Sequence, residues 1–309
     1  MSLTEQIRKI IGFEQEAAPT PRGKILAVAA RKGGVGKTTT TVNLAVAMAR
    51  YHGLDVLMVD MDGQGHVAEA LSAVVRDQGG ASLSDVMLSS GREVRRVDDL
   101  MDIVVQTSEP RLWATPSDKG LAVTEGIMAG MIGREFLLRN VMRKAAARFD
   151  VIIFDCPPNV GNLTLNAMVA SSHVLVPCDM SILSMAAVGD IIGVIDTVNE
   201  QLGHDLEVLG VLPVRVDRRN GKLTDQILKE LSDNWGERLL SSRIPANSSL
   251  ARAQVSGVSV FDFDSRSAGA RAYRNLAAEV LGRMGFRGVD APAGRDRKST
   301  RLNSSHVSQ

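Results

Sequence analysis

Residues 25–53 read ILAVAARKGGVGKTTTTVNLAVAMARYHG. The apolar run ILAVAA (25–30) suits a buried strand, and TTTTVNLAVAMARYHG (38–53) suits a helix; between them lies a charged, glycine-rich turn. That order builds a phosphate site. Gly33, Gly34 and Gly36 let the backbone curl so that amide N–H groups converge on phosphate oxygens. The helix that follows points the positive end of its dipole at the same anion. Lys37 is placed to neutralise β- and γ-phosphate charge, the Thr38 hydroxyl to ligate Mg2+, and Thr39 to reach the α-phosphate; Val35 fills out the loop and Lys32 adds a second ammonium at its start. The strict spacing G-x-x-x-x-G-K-[ST] is not met, because Arg31 stands where the first glycine belongs.

Outward from this loop the pattern repeats. Apolar runs at 55–60 (DVLMVD), 102–107 (DIVVQT), 150–155 (DVIIFD), 173–178 (HVLVPC) and 207–214 (EVLGVLPV) alternate with helical stretches such as 134–149 and 223–236. Near-continuous apolar strands belong to a sheet covered on both faces, and strand–helix alternation implies right-handed parallel crossovers. The expected fold class is α/β: a doubly wound, mostly parallel sheet flanked by helices, of the P-loop type, with ligands at the C-terminal strand ends. Three regions are expected: a helix with a Pro-containing linker at 1–22, a phosphate-binding α/β domain at 23–287, and a disordered tail at 288–309. The tail's end, RKSTRLNSSHVSQ, reads as adapter-derived sequence and is set aside from function.

Carboxylates recur where these strands end. DVLMVDMDGQGH carries Asp60 and Asp62, two positions apart and so on one face of an extended chain, and FDVIIFDCPPNVG carries Asp155 after four apolar residues. A strand-end aspartate alone is often only a cap. Downstream of a phosphate loop, these three read instead as groups for Mg2+ and for water.

KGGVGKTT (32–39), with its extra Lys32, is the deviant Walker A motif, and the chain resembles the ParA/MinD group of P-loop ATPases, most of all the Soj-like ParA proteins. The resemblance runs from about residue 24 to 284. It includes DMDGQGH (60–66), in which Gly63 and His66 replace the usual Pro and Asn, and DCPP (155–158). It continues through TPSDKGLAVTE (115–125), HVLVPCDMSILSM (173–185), RIPANSSLARAQVSG (243–257), whose Pro245 would flank adenine, and RSAGARAYRNLAAEVL (266–281). The resemblance implies ATP and Mg2+ as ligands and a face-to-face homodimer on ATP binding. Lys32 would reach the partner's phosphates, Asp62 would position the attacking water, and Asp60 and Asp155 would support the Mg2+ shell. It further implies non-specific DNA binding, for which Arg215, Arg218, Arg219 and Lys222 are the candidates, and a ParB-like or cargo-adaptor activator protein. Ala246 and Ser249 stand where arginines are common, and Arg252 where an acid is common, so plasmid or chromosome partitioning and the positioning of a protein cargo both stay open.

Composition narrows the alternatives. The formal net charge is +1 over 309 residues, and without 288–309 there remain 32 basic residues against 33 acidic, so any DNA contact must be a local patch. No uninterrupted apolar run reaches about 18 residues and no secretory leader is evident, which leads us to expect no transmembrane segment and a cytoplasmic protein, nucleoid-associated when ATP-bound. Two cysteines, Cys156 and Cys178, allow neither a disulfide scaffold nor a four-cysteine zinc site. The rival readings are an amide ligase of the same fold, an iron–sulfur reductase or carrier, or a MinD-like membrane-associated ATPase. The last would need a basic amphipathic helix, and the N-terminal segment offers only Arg8 and Lys9.

Overall fold

The computed structural model describes residues 23–64, 67, 81–89, 100–217, 219 and 221–288. The expected N-terminal helix and linker, the segment after Gly288, His66 and Arg218 lie outside the described residues.

Seven strands form one sheet among the described residues: β1 (Lys24–Val28), β2 (Val56–Asp60), β3 (Val105–Gln106), β4 (Leu112–Ala114), β5 (Val151–Asp155), β6 (His173–Asp179) and β7 (Glu207–Val214), in the order β3-β4-β2-β5-β1-β6-β7. All neighbours are parallel except the edge pair β3–β4. The helices are α1 (Lys37–His52), α2 (Leu83–Ser89), α3 (Leu121–Met128), α4 (Leu137–Arg148), α5 (Asn162–Ala170), α6 (Ile182–Leu202), α7 (Gly221–Trp235), α8 (Ser248–Val255), α9 (Val260–Asp264) and α10 (Ala268–Arg283).

The period-2 alternation of each strand divides the core. Ile25, Ala27, Leu57, Val59, Ile152 and Phe154 pack on one face with Leu138 and Met142 of α4 and Ile191 and Ile195 of α6. Leu26, Val28, Val56, Met58, Val151 and Ile153 pack on the other with Leu44 and Met48 of α1 and Tyr273, Leu276 and Val280 of α10. Each fully buried Val, Leu, Ile, Phe or Met among them contributes about 1.5–3 kcal/mol, so the central strands are held from both sides. The motif at 266–281 now has a packing explanation. Ser267 caps α10 by accepting the Ala270 N–H. A Cβ at Gly269 would come 2.8 Å from Leu250 of α8. Tyr273 is buried and its hydroxyl meets Thr40 Oγ1 of α1 at 3.2 Å.

Two expectations change. The run at 102–107 contributes only the two-residue edge strand β3, after a single 3-10 turn at Leu100–Asp102. Between β3 and β2 lies β4, a strand of three residues that is too short for any periodicity to register. Among the described residues one helix, α6, is long and apolar enough to cross a membrane by length and composition, with mean hydropathy 1.5. It is nevertheless the crossover between the adjacent parallel strands β6 and β7, with Ile191, Ile195 and Val198 buried against the sheet.

Candidate nucleotide-binding site

The parallel strands deliver their C-terminal ends to one edge. Asp60 of β2 and Asp155 of β5 are register partners, Val28 of β1 pairs with Asp155, and Asp179 closes β6 on the other side of β1. The loop after β1 therefore emerges between two strands that each end in a carboxylate. Gly34 (φ 71°) and Gly36 (φ 89°) take left-handed conformations in which a Cβ would be strained, which is why the turn needs glycine. Val35 is buried and lines a small cavity together with Val176 and Val188. Helix α1 begins with no side-chain cap and no acid in its first turn, which leaves its N-terminus to an external anion.

Beneath the loop lies a dense charge cluster. Lys37 is buried; burial lowers its pKa, opposed by the attraction of Asp155 and of Asp62. Thr38 Oγ1 donates to Asp155 Oδ2 at 2.6 Å, and Thr41 Oγ1 to Asp155 Oδ1 at 3.3 Å. Burial raises the Asp155 pKa to about 6 despite these bonds and Lys37. Burial, and then the neighbouring Asp155, raises Asp60 to about 8, although it accepts N–H bonds from Asp62 (3.0 Å) and Val67 (3.3 Å). β2 stops at Asp60, so strand alternation does not extend to Asp62. Asp62 is placed by the turn that its own N–H forms with Asp60, and its Oδ1 accepts from Gln64 N at 3.1 Å.

This arrangement fits a divalent cation. Asp60, Asp62 and Asp155 are all buried near one buried ammonium, and burial, with repulsion among the carboxylates, raises the Asp60 and Asp155 pKa values. Among the described residues no three His, Cys, Asp or Glu side chains are grouped to hold a metal unaided. Magnesium sites commonly draw one or two protein oxygens and fill the rest with water and substrate phosphate, so a hydroxyl–carboxylate pair such as Thr38–Asp155 suffices.

Lys32 lies apart from that cluster. Its Nζ donates to Asp179 Oδ2 at 2.7 Å and reaches Ser181 and Ser184 Oγ at 3.3 and 3.2 Å. Burial raises the Asp179 pKa, but hydrogen bonds from Lys32, Ser181 and Ser184 outweigh it and leave the group below its ordinary value. Arg31, in place of the first glycine, pairs with Asp190 of α6 at 2.5 Å. An open cleft of about 550 Å³ adjoins the loop, lined by Arg31, Pro158, Asn159, Val160, Asp190 and Val194. Asp179, Ser181 and Ser184 escaped the sequence reading, although D-x-S-x-x-S at a strand end was visible.

Pro245 sits at the same edge of the sheet, bridged to Val216 just past β7, with Ala246 N donating to Val216 O at 3.1 Å and Asn247 capping α8. Of the basic cluster, Arg215, Arg219 and Lys222 are exposed; Arg219 is clamped to Asp217 through its Nε and Nη2 at 2.7–3.1 Å, which offsets its charge locally. Both cysteines are buried, and burial followed by the adjacent carboxylate raises each thiol's pKa, Cys178 to about 12, so neither is a reactive thiolate.

The sequence model of the AAA domain family matches residues 23–208. The sporulation initiation inhibitor protein Soj of Bacillus subtilis is 33% identical over 258 residues, spanning 84% of this chain and 98% of Soj. The chain belongs to the ParA/MinD group of P-loop ATPases. The chromosome partitioning protein ParA of Caulobacter vibrioides is also 33% identical, over 262 residues, covering 84% of this chain and 94% of that one. Among solved structures, the cobyrinic acid a,c-diamide synthase of Mycobacterium smegmatis with bound ADP and magnesium superimposes with a TM-score of 0.71 at 30% identity, covering 87% of this chain and 99% of that one. The two curated relatives are thus matched over nearly their whole length, and over 84% of this chain.

Proposed function

We propose that this ParA-like ATPase binds ATP at Lys32–Thr39, closes as a homodimer, holds DNA non-specifically in that state, and lets go when hydrolysis opens the dimer. The observation that carries the proposal is the Lys37–Thr38–Asp155 cluster, a buried ammonium and a hydroxyl–carboxylate pair set under a loop of glycine amides. Thr38, Asp60 and Asp155 would hold Mg2+, which when bound offsets negative charge on the β- and γ-phosphates. Lys37 neutralises the same phosphates from within the chain. The buried carboxylate of Asp62, one turn beyond Asp60, orients the attacking water and accepts its proton. Lys32, supplied across the dimer, stabilises charge on the transferred group as an arginine finger does.

The DNA surface is assigned to Arg215, Arg218, Arg219 and Lys222, all beyond the end of β7. Contacts of this kind are to phosphate, carry no base code and weaken with salt. A ParB-like or cargo-adaptor protein supplies the stimulus for hydrolysis, and the cycle partitions a plasmid or chromosome or positions a protein assembly in the cytoplasm. The similarity to the M. smegmatis synthase favours one second reading, an ATP-dependent amide ligase, whose ATP turnover would require a carboxylic acid and an amide donor instead of DNA.

DNA-retention and turnover assays separate the two. With ATP, the wild-type chain is retained on unrelated duplexes, and Asp62→Ala keeps the retained dimer while its turnover falls about 10²-fold or more, as expected for a lost general base. Arg218→Glu with Arg219→Glu abolishes retention and leaves ATP binding intact. Turnover indifferent to DNA and dependent on a carboxylic acid would contradict the proposal, and retention unchanged in the double variant would move the DNA surface elsewhere.

A further inference from the structure

A lysine ammonium has three N–H donors. The side chains at the β6–α6 junction offer Lys32 three acceptors: Asp179 Oδ2 at 2.7 Å, Ser184 Oγ at 3.2 Å and Ser181 Oγ at 3.3 Å. The three acceptors are themselves locked together. Asp179 Oδ1 accepts from Ser181 Oγ at 2.6 Å and from Ser184 Oγ at 2.5 Å. Ser181 also caps α6, accepting from Ser184 N at 3.3 Å. The two serine hydroxyls thus donate to one carboxylate oxygen and present their lone pairs to the ammonium, while the other carboxylate oxygen pairs with it directly. Next door, Arg31 ties the same stretch of loop to α6 through Asp190.

We propose that Asp179, Ser181 and Ser184 form a holding site that keeps Lys32 turned away from the nucleotide in the single chain and surrenders it only when a second copy presents its phosphates. The proposal rests on the reading of Lys32 as a group that acts across the dimer. Asp179 is then a positioning residue. An ammonium with every donor satisfied and a fixed carboxylate partner does not search nearby space for phosphate. Closing the dimer exchanges two such sites for two trans contacts. Because both copies must release Lys32, the factor by which the holding site disfavours release enters the dimerisation constant twice. A factor of about three to five per chain, within the range of a partly exposed, well-formed ion pair, therefore weakens assembly by roughly ten- to twenty-fivefold.

The test uses the whole chain as wild type, Asp179→Asn and Ser184→Ala, each with and without Lys32→Ala. Lys32 reactivity is read by acetylation with an N-hydroxysuccinimide ester and mass spectrometry on nucleotide-free protein. Assembly is read as the protein concentration at half-dimerisation in Mg-ATP. Asp179→Asn should speed Lys32 acetylation several-fold and lower the half-dimerisation concentration roughly tenfold, with Ser184→Ala shifting both in the same direction by less. Neither variant should move assembly when Lys32 is alanine. Equal acetylation rates would overturn the holding site. Faster acetylation with an unchanged assembly midpoint, or an equal shift in the Lys32→Ala background, would overturn its coupling to dimerisation. A wild-type chain that stays monomeric in Mg-ATP would refute the dimer itself, and the acetylation rates would still decide whether Lys32 is held.

Discussion

Lys37→Ala should abolish ATP binding at any practical concentration, with affinity falling by about 10²–10³-fold. The size follows from the burial of this ammonium. Its attractions to Asp155 and Asp62 oppose the cost of burial in the free protein, and breaking a buried charge constellation by deleting one partner costs about 3–5 kcal/mol. Triphosphate would then enter a pocket in which buried carboxylates face it with no fixed cation of the chain's own. Lys37→Arg should fail nearly as badly, since a planar guanidinium does not fit a space shaped around a compact ammonium. Fluorescent ATP titration measures the loss, and an affinity within a few-fold of wild type would show that the loop is not what holds the phosphates.

Lys32→Ala should separate binding from turnover. Its Nζ lies against Asp179 and not within the Lys37–Asp155 cluster, so nucleotide affinity should change less than about threefold. Steady-state hydrolysis, in contrast, should fall by about 10³-fold, the lower bound for removing a charge-stabilising finger in phosphoryl transfer. The result to compare is a mixed dimer: an inactive Lys32→Ala chain paired with an inactive Asp62→Ala chain should recover part of the activity if Lys32 acts across the interface. A mixture no more active than its components would place Lys32 in its own chain's site.

Much of this was legible along the chain because the strongest signals are local. A strand running into KGGVGKTT and then a helix leaves little freedom: Gly34 and Gly36 adopt the left-handed turns their composition implies, and Thr38 meets Asp155 although 117 positions separate them. The four strands at the heart of the sheet, β1, β2, β5 and β6, are apolar enough to read directly. What stayed hidden was set by contacts between distant segments. β4 is too short to carry a pattern and exists because β2 offers it an edge. Asp60 and Asp62 share a site through a turn, not through strand alternation. The surroundings of Lys32 are formed by residues about 150 positions away, and nothing about Asp179 or Ser184 in isolation distinguishes them from an ordinary strand end and helix cap. The same logic tempers the DNA patch: Arg219 reads as a free charge in sequence, but in three dimensions Asp217 already holds it.

The most direct trial of the account is a calorimetric titration of Mg-ATP into the wild-type chain and into Lys37→Ala. The account predicts saturable heat at one site per chain for the wild type and none for the variant. Absence of heat in both, or an indistinguishable isotherm in the two proteins, would contradict the claim that this loop grips a triphosphate.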